Sequence, residues 1–209
     1  QHGHHQGDQG GPQRPAPPVE ANLVNYLWPL LIVVLAPVVL PGVALRLPHV
    51  LAALLGFGGA AIAMVGGREL SGTLAWGYLP ALAAAFIWAT YSLLTKRVAA
   101  FPTTAIGLFG LVSGVLSLLC HVVLEPPASL QARDWALLAV LGLGPLGASF
   151  FLWDKALKLG DARHIGILSY ITPLASTALL LVSGRPFSWS IAISTAMIIS
   201  AAVMGMRAR

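Results

Sequence analysis

The sequence predicts an all-α, polytopic membrane protein, and two observations carry this prediction. Of the 209 residues, 57% are hydrophobic and only 9% are charged, whereas soluble domains carry roughly 25% charged residues. The apolar residues fall into long continuous runs of about 20 residues, the length that an α-helix needs to cross a bilayer. Closed β-barrels, the other spanning architecture, need short alternating segments. The long runs, rich in Leu and Ala, therefore favour helices.

Seven transmembrane helices follow from these runs, and the short connections between them hold most of the charge. The predicted spans are residues 21–40, 48–66, 76–95, 104–124, 135–153, 165–183 and 189–206. Residues 1–18 precede the first span and are dominated by Gly, Pro, Gln and His. This composition lacks the side chains that build a core, so it predicts a disordered polar tail.

The distribution of Lys and Arg predicts the orientation in the membrane. Of the 12 basic residues, eight lie on one side of the predicted spans. These are Arg46, Lys96, Arg97, Lys155, Lys158, Arg163, Arg207 and Arg209. The positive-inside rule places this side in the cytoplasm, so the carboxyl terminus of the multi-pass protein is predicted to be cytoplasmic. Because the basic residues are dispersed over helix ends, no nucleic-acid partner is predicted.

A six-residue pattern occurs twice along the chain. Residues 25–30 read NYLWPL and residues 169–174 read SYITPL, so each copy has a small polar residue, Tyr, two variable positions, Pro and Leu. The first copy lies in span one and the second in span six. Because five steps, an odd number, separate these spans, they cross the membrane in opposite directions. The sequence therefore predicts an inverted repeat, an architecture associated with secondary transporters.

Pro29 and Pro173 occupy the same position in the two copies of the pattern. Proline removes a backbone hydrogen bond and clashes with the preceding helical turn, so each span should be kinked within the membrane. Such a kink can open a cavity or serve as a hinge. We therefore expect Pro29 and Pro173 to be hinges; for either residue alone, a tolerated membrane proline is the alternative interpretation.

The predicted spans carry no Asp, Glu, Lys or Arg near their centres, where ionisable residues usually mark a function. This sequence therefore lacks the paired carboxylates of an intramembrane protease and the lysine of a retinal pigment. It predicts neither an enzyme nor a cofactor or metal site.

Uncharged polar and aromatic side chains supply the candidate binding residues. Trp28 and Trp88 lie deeper than the aromatic anchors expected at span ends, and Trp88, Tyr91 and Ser92 share one helix face at i, i+3 and i+4. Aromatic faces with a few hydrogen-bonding groups suit a planar, amphipathic organic solute better than an inorganic ion. The predicted solute-binding residues are Asn25, Tyr26, Trp28, Trp88, Tyr91, Ser92, Ser169 and Tyr170.

Three stretches resemble the EamA-type members of the drug/metabolite transporter superfamily, and most closely their branch of YddG-like aromatic amino-acid exporters. They are VEANLVNYLWPLLIVVLAP (19–37), WATYSLLTKR (88–97) and GILSYITPLASTALLL (166–181). The resemblance extends from about Pro18 to the end of the chain. Many family members have Glu shortly after the proline-bearing helix, whereas this chain has LPGVAL (40–45) and SGRPFS (183–188) there.

The resemblance implies ten helices in two inverted halves of five. On this basis, residues 19–70 are the last two helices of the first repeat, residues 71–209 are the five helices of the second, and the first three helices are expected upstream of this chain. A central cavity would lie between the halves, and Tyr26, Trp28 and Trp88 would face it.

The function implied by the resemblance is export of amino acids, aromatic ones above all, or of related small metabolites. The export would cross the bacterial inner membrane by alternating access, with the lipid bilayer and a small organic solute, such as an aromatic amino acid, as partners. Assembly into a homo-oligomer is left open. Two alternatives also remain: a transporter for another small organic solute, and a non-transporting membrane fragment or scaffold.

Overall fold

The computed structural model describes residues 18–65, 76–98, 101–127, 129–184 and 188–208. All regular secondary structure in these ranges is helical, which confirms the all-α prediction. Of the predicted disordered tail, only Pro18 lies inside the described ranges, and it begins the first helix.

Ten α-helices follow one another in the described ranges. They are α1 (Pro18–Asn25), α2 (Trp28–Val39), α3 (Leu47–Val65), α4 (Tyr78–Leu94), α5 (Ala105–Leu124), α6 (Ala132–Leu143), α7 (Ser149–Leu159), α8 (Ala162–Leu168), α9 (Ile171–Val182) and α10 (Trp189–Arg207). A π-helical turn, Gly144–Ala148, joins α6 directly to α7.

Five helical segments of the described chain are long and apolar enough to cross a bilayer. They are Pro18–Val39, Leu47–Val65, Ala105–Leu124, Ala132–Leu159 and Trp189–Arg207. Helix α4 is apolar but has 17 residues, which gives a length of about 25 Å at 1.5 Å per residue. Since the hydrocarbon core is about 30 Å thick, this helix nearly spans it. The chain is therefore a polytopic membrane protein, as predicted.

The predicted spans 21–40 and 165–183 are not single helices, and this corrects the sequence prediction. The first is interrupted at residues 26–27, between α1 and α2, and the second at residues 169–170, between α8 and α9. Each interruption lies two to four residues before the proline of the repeated pattern. Proline supplies no N–H and displaces the backbone on its amino-terminal side, so the helical ladder fails just ahead of Pro29 and Pro173.

Three-residue hydrogen bonds tighten the chain at both interruptions. The N–H of Leu27 donates to the carbonyl of Val24 at 3.1 Å, and the N–H of Tyr170 donates to the carbonyl of Ile167 at 3.2 Å. Both are three-residue bonds, which tighten the chain as in a 3₁₀ turn. Each break is therefore a short, tightened segment between two helices, and the second has a further bond of this kind from the N–H of Thr172 to the carbonyl of Ser169 at 3.0 Å.

The predicted fifth span, 135–153, is longer in the structure, where it runs without interruption from Ala132 to Leu159. A π-helical turn in its middle contains Pro145, which lacks the N–H of a regular α-helical turn. Gly147 lies in the same turn, where a Cβ would collide with the carbonyl oxygen of Gly142. The polar residues after Trp153 remain helical, so the apolar run underestimates the helix at its carboxyl end.

The chain forms two compact units. The first comprises the described residues up to Leu93 and those from Ala162 onwards, and the second comprises Leu94–Asp161. The core of the first unit contains two hydrophobic clusters. One is built on Val33, Ala52, Ala53, Ile167 and Ala201, and the other on Ala60, Tyr170 and Ile198.

Within the first unit, α3 and α10 pack in opposite directions. Gly59 of α3 faces the side chain of Ile198 and the carbonyl of Ser194 in α10. Towards the start of α3, Pro48 shares a groove with Arg207 near the end of α10. Contacts that move backwards along α10 as they move forwards along α3 define an antiparallel pair. These helices follow the two copies of the repeated pattern, and their packing agrees with an inverted repeat.

The two proline-bearing segments also pack in opposite directions. The carbonyl of Pro29 in α2 lies against Gly166 of α8, and the phenol of Tyr170 reaches back to the carbonyl of Tyr26. Beyond the other end of α2, the guanidinium of Arg163 donates to the carbonyl of Ala44 at 2.7 Å. The contacts again run in reverse order, so α2 and α8 are antiparallel.

Two lysines hold the second unit together at one end of α7. The ammonium of Lys96 donates to the carbonyls of Leu157 and Gly160 at 2.5 Å each, where the end of the helix leaves carbonyls without helical partners. Burial lowers the pKa of Lys96, and the nearby carboxylate of Asp161 partly opposes this shift. The ammonium of Lys158 contacts the carboxylate of the buried Asp154 at 2.6 Å and the carbonyl of Phe101 at 2.9 Å.

Replacing Lys96 with Met is expected to destabilise the second unit. The change removes the two hydrogen bonds that the ammonium of Lys96 donates to the carbonyls of Leu157 and Gly160. Bonds to charged groups contribute about 1.5–3 kcal/mol each, and the partial exposure of Lys96 reduces this, so we expect a loss of about 1–2 kcal/mol. Reversible unfolding in a detergent titration, followed by circular dichroism, measures it.

Arg97→Met is the matched control, because Arg97 is an exposed neighbour and such substitutions change stability by about 0.5 kcal/mol or less. Equal losses in the two variants would contradict the assigned role of the Lys96 ammonium.

Candidate solute-binding site

Three of the predicted solute-binding residues form one aromatic cluster in the first unit. The rings of Trp28 and Trp88 meet edge to face, with centroids 6.3 Å apart and planes at 88°. Trp88 also contacts Tyr91 on the same face of α4, with centroids 5.5 Å apart. Such pairs each contribute about 0.5–1.5 kcal/mol beyond the burial of area. All three side chains are only half-buried, so the cluster keeps part of its aromatic surface uncovered.

The position of Trp28 follows from the interrupted helix. Trp28 is the first residue of α2, directly after the tightened turn at residues 26–27. Asn25, another predicted binding residue, is the last residue of α1 and is half-buried. The break therefore places a polar side chain and an aromatic side chain on either side of one turn, near α4.

Tyr170 is fully buried, and its hydroxyl lies at the break of the other repeat. The phenol oxygen is 3.5 Å from the carbonyl oxygen of Tyr26, and the backbone N–H of Leu30 lies near the same oxygen. In an uninterrupted helix, the N–H of residue 30 would donate to the carbonyl of residue 26. The hydroxyl therefore lies between two backbone groups that the break separates.

The remaining predicted binding residues lie close to the packed interior. Tyr26 is half-buried and packs against the cluster that contains Tyr170. Ser92 is fully buried, and the hydroxyl of Ser169 donates to the carbonyl of Gly166 at 2.6 Å. In this conformation Ser92 and Tyr170 have no surface to offer a solute, and their binding roles stay predictions.

The sequence did not identify a pair of histidines at one end of the first unit. The imidazoles of His49, in the first turns of α3, and His164, in α8, stack with centroids 5.7 Å apart and an interplanar angle of 21°. The predicted topology could have indicated this pair, because the two residues lie at the starts of spans that begin on the same predicted side of the membrane. Two imidazoles provide fewer ligands than a metal ion in a structural site normally needs.

Apolar spanning helices, two of them interrupted and packed antiparallel, are features of membrane transporters. The sequence profile of the EamA-like transporter family matches residues 75–206, and the chain belongs to this family.

Three relatives bear the name "Aromatic amino acid exporter YddG". The protein of Ancylobacter novellus is 43% identical over 193 residues, which cover 90% of this chain and 67% of the relative. The proteins of Salmonella typhimurium and Escherichia coli are 28% and 26% identical over 182 residues, which cover 82% of this chain and 61% of each relative. The predicted resemblance to EamA-type transporters of the YddG-like branch is thus confirmed.

A crystal structure with 41% sequence identity superposes on this chain with a TM-score of 0.84. The match covers 90% of this chain and 66% of the other. The chain therefore spans between three fifths and two thirds of the length of the proteins that it matches.

Proposed function

We propose that this chain is part of an exporter of aromatic amino acids or of closely related small organic solutes, working by alternating access in the bacterial inner membrane. The observation that carries the proposal is the half-buried cluster of Trp28, Trp88 and Tyr91 beside the helix break. Its uncovered faces can stack on an aromatic side chain. The names of the relatives, at up to 43% identity, support the same class of solute.

Asn25 and Tyr26 would supply polar contacts to the amino-acid part of the solute, because they lie at the end of α1 and in the break, next to Trp28. Pro29 and Pro173 would be the hinges. Ser92, Ser169 and Tyr170 would be solute-binding residues that lie deeper in the protein than the aromatic cluster. Residues 19–70 and 71–209 would be parts of two inverted repeats that rock around the solute. The antiparallel packing of α2 with α8 and of α3 with α10 supports this arrangement.

The basic ends of the spans would face the cytoplasm, together with the carboxyl terminus. Two contacts of the first unit support the assignment of these residues to common sides of the membrane. Arg163 bonds to the loop residue Ala44, and both lie on the predicted cytoplasmic side. The hydroxyl of Tyr78 donates to the carboxylate of Glu20, and both lie on the predicted outer side.

The test is transport by the purified protein, expressed from its complete reading frame and reconstituted into liposomes. Vesicles loaded with labelled phenylalanine should release it at least several times faster than protein-free vesicles. Labelled glutamate in matched vesicles is the control, because a charged side chain gains little from aromatic faces.

Equal release of the two amino acids would favour a transporter for another small organic solute. Release no faster than from protein-free vesicles would contradict transport and favour a scaffold.

A further inference from the structure

A groove on the first unit runs between the antiparallel helices α3 and α10. Its volume is about 580 Å³. The lining residues are Pro48, Leu55, Ile199, Ser200, Val203, Met204, Arg207 and Ala208. Pro48 and Leu55 are seven residues apart on α3, which corresponds to about 10 Å along the helix. The groove is thus long enough to hold a stretch of hydrocarbon chain and is lined almost wholly by apolar groups.

The groove is open to the surroundings of the bundle along its length. Ile199 is 53% exposed and Val203 is 37% exposed, and both lie on a helix that is long enough to cross the membrane. Contact of such apolar surface with water is unfavourable, which favours an apolar occupant. In a bilayer, an acyl chain is such an occupant.

One end of the groove is positively charged. Arg207, in the last turn of α10, is exposed and borders the apolar lining. Among the described residues of the first unit, the only carboxylate is that of Glu20, in the first turn of α1. Glu20 contacts Tyr78 and lies a full span away from the loop that leads into α3. This end of the groove therefore complements an anionic headgroup.

We propose that the groove binds one anionic phospholipid, with an acyl chain between α3 and α10 and the phosphate at the guanidinium of Arg207. Basic pockets between transmembrane helices bind anionic headgroups in this way. The apolar lining distinguishes a lipid from free phosphate, which would gain nothing from Leu55, Ile199 or Val203. In the orientation proposed above, the charged end lies at the cytoplasmic leaflet. The lipid site goes beyond the proposed transport function and does not depend on it.

Native mass spectrometry of the purified protein, expressed from its complete reading frame, tests the site. The protein is exchanged into micelles with equal amounts of phosphatidylglycerol and phosphatidylcholine, which have the same acyl chains. The wild type should retain phosphatidylglycerol over phosphatidylcholine by about fivefold, the preference that one arginine near the surface supplies. Arg207→Gln should reduce the ratio to about one.

Two further variants separate the groove from general surface charge. Arg97→Gln removes the same charge elsewhere and should leave the ratio unchanged. Val203→Trp fills the groove and should lower the retention of both lipids while Arg207 is intact. Equal loss of preference in Arg97→Gln and Arg207→Gln would overturn the proposal, and so would a wild type without headgroup preference. Cross-linking of a second copy through Val203→Cys, with no lipid retained, would also overturn it.

Discussion

Gly56→Ala should lower the stability of the first unit by up to about 2 kcal/mol. A Cβ at this position would lie 2.5 Å from Cδ2 of Tyr170 and 3.1 Å from Cε2, the neighbouring ring carbon. Because the Tyr170 ring is fully buried, it cannot turn away without displacing its neighbours. Overpacking of this kind costs about 1–3 kcal/mol, occasionally more, and the better helix propensity of Ala returns about 1 kcal/mol. A denaturing detergent titration followed by tryptophan fluorescence measures the loss.

Gly58→Ala is the control on the same helix. There, a Cβ would meet only the terminal methyl of Met197, at 3.0 Å, and that methyl can move. This variant should be as stable as the wild type or more so. A second check is the double variant Gly56→Ala/Tyr170→Leu, in which a flexible side chain replaces the ring. If it lost the full sum of the two single effects, the collision would not be the cause.

Replacing Trp28 and Trp88 together with Ala should weaken the export of phenylalanine by more than tenfold. If each indole contributes about 1 kcal/mol of aromatic contact with the solute, the pair contributes about 2 kcal/mol. That corresponds to roughly a thirtyfold rise in the half-saturating concentration. Initial rates of efflux from proteoliposomes at several internal concentrations measure the change.

Trp76→Ala/Trp189→Ala is the matched control, because these tryptophans are 66% and 80% exposed and lie at span ends. This double variant should transport like the wild type. Trp28→Phe/Trp88→Phe keeps aromatic faces and should recover most of the activity. Unchanged efflux in Trp28→Ala/Trp88→Ala would remove the aromatic cluster as the binding site.

The sequence predicted the regular spanning helices closely, because apolar length alone determines them. Predicted span 48–66 corresponds to Leu47–Val65, and predicted span 104–124 corresponds to Ala105–Leu124. Hydropathy does not reveal a helix interruption when the residues on both sides of it are apolar. Spans one and six were therefore predicted as single helices. The two prolines correctly indicated the regions in which the helices are interrupted. Each interruption precedes its proline, because the missing N–H and the steric clash affect the preceding turn.

Parts of the candidate site could be predicted because they lie on one element. The spacing of Trp88 and Tyr91 places them on one face of a helix, and the structure has their rings in contact. The contact of Trp28 with Trp88 joins α2 to α4, and the stack of His49 on His164 joins α3 to α8. Contacts between distant elements depend on packing, and no local pattern encodes them.

The hydroxyl of Tyr170 has a consequence for how the broken helix can change shape. It belongs to the second copy of the repeat, yet it occupies the gap between Tyr26 and Leu30 in the first. If α8 and α9 moved away, the amide of Leu30 and the carbonyl of Tyr26 could bond to each other, since their sequence separation is that of a regular helix. The two backbone groups would then exchange the Tyr170 hydroxyl for each other, and the hydroxyl would need a new partner, because an unsatisfied polar group is costly in hydrocarbon.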